Sequence, residues 1–328
     1  MNRWICPALA VLLLGACSAV RTNDAPRPFG PATEEPIELE TQTGTLHGTL
    51  LLPAGRGPHP VALLVAGSGP TDRNGNTPAL PGPNNSLKLL AEGLAARGIA
   101  TVRYDKRGVA ASAAAGPREA DLRFDHYVDD AAAWIGRLRD DRRFSTVTAI
   151  GHSEGSLIAL RAASRAGASG VVSIAGIARP ASALLRDQLR PQLPPELWRA
   201  SERILAGLEA GRTTDSVPPP IMVLYRPSVQ PYLISWFRHD PAREMAGLRI
   251  PALIAQGTTD AQVTVHEARA LHAARPGAGL LIVEGMNHVL KLVPADPPRQ
   301  QASYSDPTLP VAPELVEGIG GFIRALRR

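Results

Sequence analysis

Residues 146–150 (TVTAI) form a largely apolar run that leads without a break into Gly151-His152-Ser153-Glu154-Gly155, and residues 154–166 then take up helical spacing. A strand, a G-x-S-x-G turn and a helix in that order leave few folds open. The turn must be sharp, and small residues two before and two after Ser153 keep it clear of neighbouring backbone. Alone the motif is weak, because a chain with 30 glycines produces it by chance. Its strand-to-helix setting gives it weight.

The same alternation recurs on both sides. VALLVA (61–66), bounded by Pro60 and Gly67, is a continuous apolar run of the kind buried on both faces of a parallel sheet. Residues 99–104, 170–175, 251–256 and 279–284 read as further strands, and 37–43 with 45–52 as a hairpin around Gly44. Helical spacing covers 86–97 (Leu87, Leu90, Leu94, with Gly98 as the stop), 126–140, 154–166, 265–274 and 313–327. Strands and helices in alternation predict βαβ crossovers. The expected class is therefore α/β, with a mostly parallel central sheet flanked by helices. From about 180 to 249 the pattern breaks: prolines scatter, including Pro218-Pro219-Pro220, 198–208 is amphipathic, and 221–225 is the sole candidate strand. This stretch reads as an inserted, mainly helical cap. A chain of 328 residues, 44% hydrophobic and 20% charged, can bury a sizeable core, and the pattern favours one domain with an insertion over two domains.

The first residues read as an address. Arg3 precedes an apolar stretch at 8–14, small residues and Cys17; the stretch is too short to span a membrane and fits an export signal. Leu14-Gly15-Ala16-Cys17 resembles the lipobox of bacterial lipoproteins. That resemblance implies removal of a signal peptide at 1–16 and a lipid on Cys17. Ser18 in place of Asp resembles the Gram-negative sorting pattern for the outer membrane, facing the periplasm. Residues 17–36 are polar and proline-rich and read as a tether, leaving 37–328 as the folded domain. Two cysteines exclude a disulfide scaffold and a Cys-rich zinc or iron–sulfur site. A net charge of +5 with no basic block, and 4% aromatics, argue against nucleic-acid binding. There is no HExxH motif and no dinucleotide fingerprint, so neither metal nor cofactor is expected.

A serine on such a turn becomes a nucleophile only with a base and an acid that orients it. In strand–turn–helix folds of this kind the chain order is Ser, then Asp or Glu, then His. The strand at 251–256 runs into Gly257-Thr258-Thr259-Asp260, and the strand at 279–284 into Gly285-Met286-Asn287-His288. Both residues fall beyond the C-terminal edge of the sheet, where open α/β sheets bind ligands. Ser153, Asp260 and His288 are the expected catalytic set. Glu284, closing a strand, and Glu267, in a helix, are weaker acids for the role. His152 reads as structural, His266 and His272 lie along a helix, His239 lies in the cap, His47 and His59 precede the core, and His126 heads a distant helix. The developing oxyanion needs preorganised N–H donors. Glu154, after the nucleophile, should supply one; Ser68, in Gly67-Ser68-Gly69 after the first buried strand, should supply the other, since Pro70 cannot donate.

With these motifs in hand the chain resembles the α/β-hydrolase serine hydrolases, and within them the bacterial esterase and serine-aminopeptidase-like group. The matching stretches are AGSGPTDRNGN (66–76), RYDKRG (103–108), GHSEGS (151–156), QGTTD (256–260), MNHVLK (286–291) and DPTLPVAPELV (306–316), in family order over 37–328. Many relatives carry His-Gly before the oxyanion loop where this chain has Ala66-Gly67; a backbone donor does not depend on that histidine. Asp72, Asp105 and Arg107 read as an ion-pair network fixing the oxyanion loop, or else as polar contacts to substrate; the first reading is preferred. A small-molecule carboxylic ester is the expected substrate. A serine peptidase of the prolyl-aminopeptidase type is the main alternative, with Glu196, Glu202, Glu209, Asp215 and Asp240 available in the cap to hold an ammonium. An acyl-CoA thioesterase fits less well with an exported chain. A binding protein on a hydrolase scaffold would be expected to lack part of the catalytic set, and this chain has every part.

Overall fold

The protein is described here by a computed structural model covering residues 31–326; the expected signal, Cys17 and most of the tether lie outside the described residues. The described chain builds one sheet from β1 (Thr33–Thr41), β2 (Gly44–Leu52), β3 (His59–Val65), β4 (Ala100–Tyr104), β5 (Phe144–His152), β6 (Gly170–Ile174), β7 (Ala252–Gly257) and β8 (Gly279–Val283). Their order across the sheet is β1-β2-β4-β3-β5-β6-β7-β8. β2 is antiparallel to both β1 and β4, and every pairing from β4 to β8 is parallel. The mostly parallel α/β class read from the alternation is what forms.

Helices α1 (Ser86–Ala95), α2 (Phe124–Asp140) and α3 (Glu154–Ala166) follow β3, β4 and β5. The cap holds α4 (Ala181–Leu189), α5 (Pro195–Glu209), α6 (Met222–Tyr225), α7 (Gln230–Phe237) and α8 (Pro241–Gly247). After β7 come α9 (Val265–Ala274), then, beyond β8, α10 (Pro297–Ser303) and α11 (Pro313–Ala325). Alternate residues of β3 feed two cores, as the two-residue period of a strand requires. Val61, Leu63 and Val65 pack with Trp134, Ile135 and Leu138 of α2 and Ile158 of α3. Ala62, Leu64 and Ala66 pack with Leu90 and Leu94 of α1 and Leu315 and Ile319 of α11. Each fully buried Leu or Ile contributes roughly 1.5–3 kcal/mol of transfer free energy. Cap residues Leu205, Leu208, Tyr225 and Leu233 join the first of these cores, so the cap is continuous with the body of the domain.

Three differences from the sequence reading have a clear physical reason. β1 starts at Thr33, so residues 33–36, assigned above to the tether, lie in the sheet. The segment is polar and carries Pro36, but β1 is an edge strand, where proline is tolerated. Glu34 and Glu35 are held there by Arg103 (2.6 Å) and Arg143 (3.1 Å). The apolar run 221–225 is not a strand. Pro218-Pro219-Pro220 sets helical φ at the start of a 3-10 turn (Pro219–Ile221) that runs directly into α6. α2 begins at Phe124 rather than 126, because the Phe124 N–H, an orphan at a helix start, is satisfied by the Ser235 hydroxyl of α7 at 2.8 Å.

Candidate active site

β5 and α3 meet at Ser153, which sits at φ 55°, ψ −120°. A non-glycine residue in that region is strained, and the neighbouring packing over-determines it. Its N–H donates to the Ile174 carbonyl of β6 at 2.9 Å, and its carbonyl accepts from Ser156 N–H at 2.9 Å. The two glycines of the motif are needed for space. A Cβ on Gly151 would lie 2.0 Å from the Gly155 carbonyl oxygen, and one on Gly155 would lie 2.3 Å from the Val65 carbonyl oxygen. Helix α3 thus starts hard against the ends of β3 and β5, and the serine is lifted to the edge of the sheet.

The last two strands in the order carry Asp260 and His288 on the loops at their C-terminal ends. Asp260 follows β7 and His288 follows β8, and the His288 Nδ1 to Asp260 Oδ2 distance is 2.8 Å. Both are buried. Asp260 Oδ1 accepts the N–H groups of Gln262 (2.8 Å) and Val263 (2.9 Å), and Oδ2 also accepts from Gln256 Nε2 (3.0 Å). Burial alone would push this carboxyl up. The His288 ring and those backbone donors more than offset it, so the pKa falls below the ordinary aspartate value and the group stays ionised. The two loops are locked together: Thr259 N–H donates to the Met286 carbonyl (3.1 Å), Thr259 Oγ1 to the Gly285 carbonyl (2.9 Å), and Gly285 N–H to Thr258 Oγ1 (2.9 Å). Asn287 is fixed by Ser303 of α10 at 2.8 Å, and Lys291, fully buried, donates to the Asp306 carbonyl.

His152, inside the turn, is placed beside His288. Its Nε2 lies 2.8 Å from the His288 carbonyl oxygen, and the two rings are 4.8 Å apart. Burial, with the neighbouring His288, pushes its pKa down to about 3. The ring is therefore neutral, and its Nε2–H holds the backbone of the residue that would act as base.

The expected oxyanion donors lie on the other side of Ser153. Glu154 is the first residue of α3, so its N–H has no partner within the helix. Gly67 lies against Ser153: a Cβ on it would be 3.3 Å from Ser153 Cβ, which sets the Gly67–Gly69 loop beside the serine. Here the structure reveals a group that the sequence reading passed over. Lys106, buried between Asp105 and Arg107 in RYDKRG, donates from Nζ to the Gly67 carbonyl (2.5 Å) and meets Glu154 Oε2 at 3.2 Å. The other Glu154 oxygen accepts from the Tyr232 hydroxyl of α7. Burial and that carboxylate push the Tyr232 phenol well above its ordinary value, so it remains a donor. The signal for Lys106 is a cation just beyond the buried strand β4; nothing in the sequence names its partners.

Asp72, Asp105 and Arg107 do not pair with one another. Asp105 holds Arg73 through two side-chain bonds (2.7 and 3.1 Å) and the Arg73 N–H (2.7 Å). Asp72 accepts the N–H groups of Asn74 (2.8 Å) and Asn76 (2.9 Å), folding its own loop. Arg107 forks onto Asp130 of α2 (2.7 and 2.5 Å) and reaches Thr43 Oγ1 (3.0 Å). Asp130 is itself buried on α2. All three residues fix loops around the site.

Two cavities meet at Ser153. One, of about 360 Å³, is lined by Gly67, Ser68, Ser153, His288, Asn84 and Tyr304 among others. The other, of about 140 Å³ and more enclosed, is walled by Leu157, Ile177, Ala181, Leu184, Leu185 and Trp236, and reaches Ser68, Ser153 and Glu154. Among the described residues no group of three or more His, Cys, Asp or Glu could hold a metal ion.

Comparison with known proteins gives a consistent picture. The family model described as serine aminopeptidase, S33, matches residues 85–213. Esterase EstD of Thermotoga maritima is 31% identical over 256 residues, which is 77% of this chain; the chain spans 60% of that protein's length. Est1E of Butyrivibrio proteoclasticus, solved with ferulic acid bound, superposes with a TM-score of 0.57 at 17% identity, over 77% of this chain and 91% of that one. The Pyrococcus furiosus esterase Pf2001 gives a TM-score of 0.54 at 15% identity (90% and 94% covered). XC6422 of Xanthomonas campestris, described as a serine hydrolase without a lid, gives 0.51 at 19% identity (90% and 96% covered).

Proposed function

The chain has the α/β-hydrolase fold, and on that premise we propose that it is a serine hydrolase cleaving small carboxylic esters through an acyl-enzyme. The observation that carries the reading is the 2.8 Å bond from the His288 ring to Asp260, on loops adjoining a strained Ser153 that shares a cavity with His288. The similarity to Esterase EstD supports it.

The steps follow from the residues. With Nδ1–H donated to Asp260, His288 Nε2 is the basic nitrogen. It accepts the Ser153 hydroxyl proton as Oγ bonds to the ester carbonyl carbon, and the carbonyl electron pair moves onto oxygen. The N–H groups of Ser68 and Glu154 stabilise that oxyanion. Asp260 stabilises the imidazolium, which protonates the leaving alcohol as the C–O bond breaks. Water, deprotonated by His288, then cleaves the acyl-serine and releases the acid. The enclosed apolar cavity suits a short acyl chain and the larger cavity the alcohol.

Peptide cleavage is the second reading, because the matching family model carries a serine-aminopeptidase description. An aminopeptidase needs a carboxylate for the substrate ammonium. Among the described residues lining the two cavities at Ser153, Glu154 is the one acid, and Lys106 and Tyr232 occupy it. Glu202 and Glu209 of the cap are held by Arg186. The ester reading is therefore preferred. Turnover of a p-nitrophenyl ester series, acetate to decanoate, against aminoacyl-amides tests it: short esters should lead, and strong amidase turnover with negligible esterase turnover would reject it. The export signal and Cys17 lipid remain part of the proposal, as an outer-membrane anchor facing the periplasm, and rest on the sequence at 1–20. Incorporation of labelled palmitate into the chain, lost in Cys17→Ala, tests that part.

A further inference from the structure

A peptide group has two ends, and the one joining Gly67 to Ser68 presents each to a different part of the site. Its N–H, on Ser68, is the oxyanion donor proposed above. Its carbonyl oxygen, on Gly67, accepts from Lys106 Nζ at 2.5 Å. Lys106 is 1% exposed, so this contact is made away from water. The ammonium also lies 4.9 Å from the centre of the Tyr127 ring and 3.2 Å from Glu154 Oε2. A lysine serving only to balance Glu154 would not need the Gly67 carbonyl. A cation on that oxygen draws electron density along the conjugated amide and leaves the N–H at the far end a stronger donor.

We propose that Lys106 is a positioning residue that polarises the Gly67–Ser68 peptide, strengthening the Ser68 N–H toward the oxyanion, with the Glu154 side chain as its counter-ion and Tyr232 as the link to the cap. The proposal rests on the Ser153 hydrolase reading. Its effect grows with charge on the substrate oxygen, so it acts on kcat and not on KM.

The test compares two ways of breaking the same ion pair. Lys106→Met removes the polarising cation; Glu154→Gln keeps it and keeps the Glu154 backbone. Lys106→Met/Glu154→Gln removes both charges and so avoids a buried carboxylate without its cation. Lys106→Arg retains a cation and serves as the conservative control. Each variant is melted, then assayed with a short-chain p-nitrophenyl ester. Complete loss of an oxyanion donor costs about 10²–10³ in kcat, so loss of polarisation alone should cost about tenfold. The expected result is that tenfold fall for Lys106→Met and for the double variant, with KM within about twofold. Lys106→Arg should restore most of the kcat lost in Lys106→Met, and Glu154→Gln should lose clearly less kcat than Lys106→Met. Equal losses in Lys106→Met and Glu154→Gln would assign the pair a purely structural role and overturn the proposal. So would a double variant that regains kcat along with its melting temperature. Were the unaltered protein to turn over no ester beyond Ser153→Ala, the hydrolase reading itself would fall, and this proposal with it.

Discussion

His152 gives the sharpest link between the buried site and a solution measurement. Its ring is buried, bonded to the His288 carbonyl, and held neutral with a pKa of about 3. In the unfolded chain the same ring titrates near the ordinary histidine value of about 6.5. Between those values the unfolded state binds one proton more than the folded state. Stability is therefore complete above about pH 6.5 and is lost as pH falls toward 3, by up to about 1.4 kcal/mol for each pH unit. Across the whole interval that amounts to about 5 kcal/mol, a large fraction of a typical domain's stability. The perturbation is His152→Gln, which retains an N–H donor and cannot titrate. Urea unfolding of both proteins at pH 6.5, 5.5 and 4.5 reads the effect. The unaltered protein should lose stability more steeply than the variant over this range, by about 1 kcal/mol per unit at its lower end. Parallel pH profiles would mean that His152 can be protonated in the folded state, and the neutral donor role argued for it would be wrong.

Asp260→Asn should leave the fold intact and lower kcat about 10⁴-fold, or about 5.5 kcal/mol of barrier. Oδ1 faces two backbone donors, so the asparagine oxygen must stay there and its NH₂ must face His288 Nδ1, forcing the proton onto Nε2; ester turnover within tenfold of the unaltered protein would refute this. Gly257→Ala brings a Cβ to 1.9 Å from the Met286 carbonyl oxygen and should part the loops carrying Asp260 and His288, with lower melting temperature and kcat down at least tenfold. Ala181→Leu adds three carbons to the wall of the enclosed cavity and should move the preferred acyl chain shorter by one or two carbons, each misfit methylene costing about 1–3 kcal/mol; an unchanged chain-length profile would remove that cavity from acyl binding.

Much of the fold is legible in the chain because its central strands are buried on both faces. Runs such as 61–66 and 170–174 then need no partner to be recognised. The positions of Ser153, Asp260 and His288 are legible for a related reason: each sits just after an apolar strand run, and a parallel sheet gathers those ends at one edge. What is not legible is pairing across that edge. Asp105 with Arg73, Arg107 with Asp130 and Lys106 with Glu154 join residues 23 to 48 apart in sequence, and the last depends on β5 packing beside β3. The edge strand β1 hides its first four residues because solvent-facing Glu34 and Glu35 carry no apolar period. In the cap, the apolar residues 221–225 look alike as strand or helix until the prolines before them are seen to initiate a turn.

The central claim is that Ser153 is the nucleophile of a serine hydrolase. Reaction with a fluorescent alkyl phosphonate, followed by intact mass and peptide mapping, tests it most directly. One phosphonyl group per chain, located on the peptide containing Gly151–Gly155, abolished in Ser153→Ala and strongly slowed in His288→Ala, is the predicted result. A chain that takes no label while remaining folded, or a Ser153→Ala variant that is labelled as fast as the unaltered protein, would contradict it.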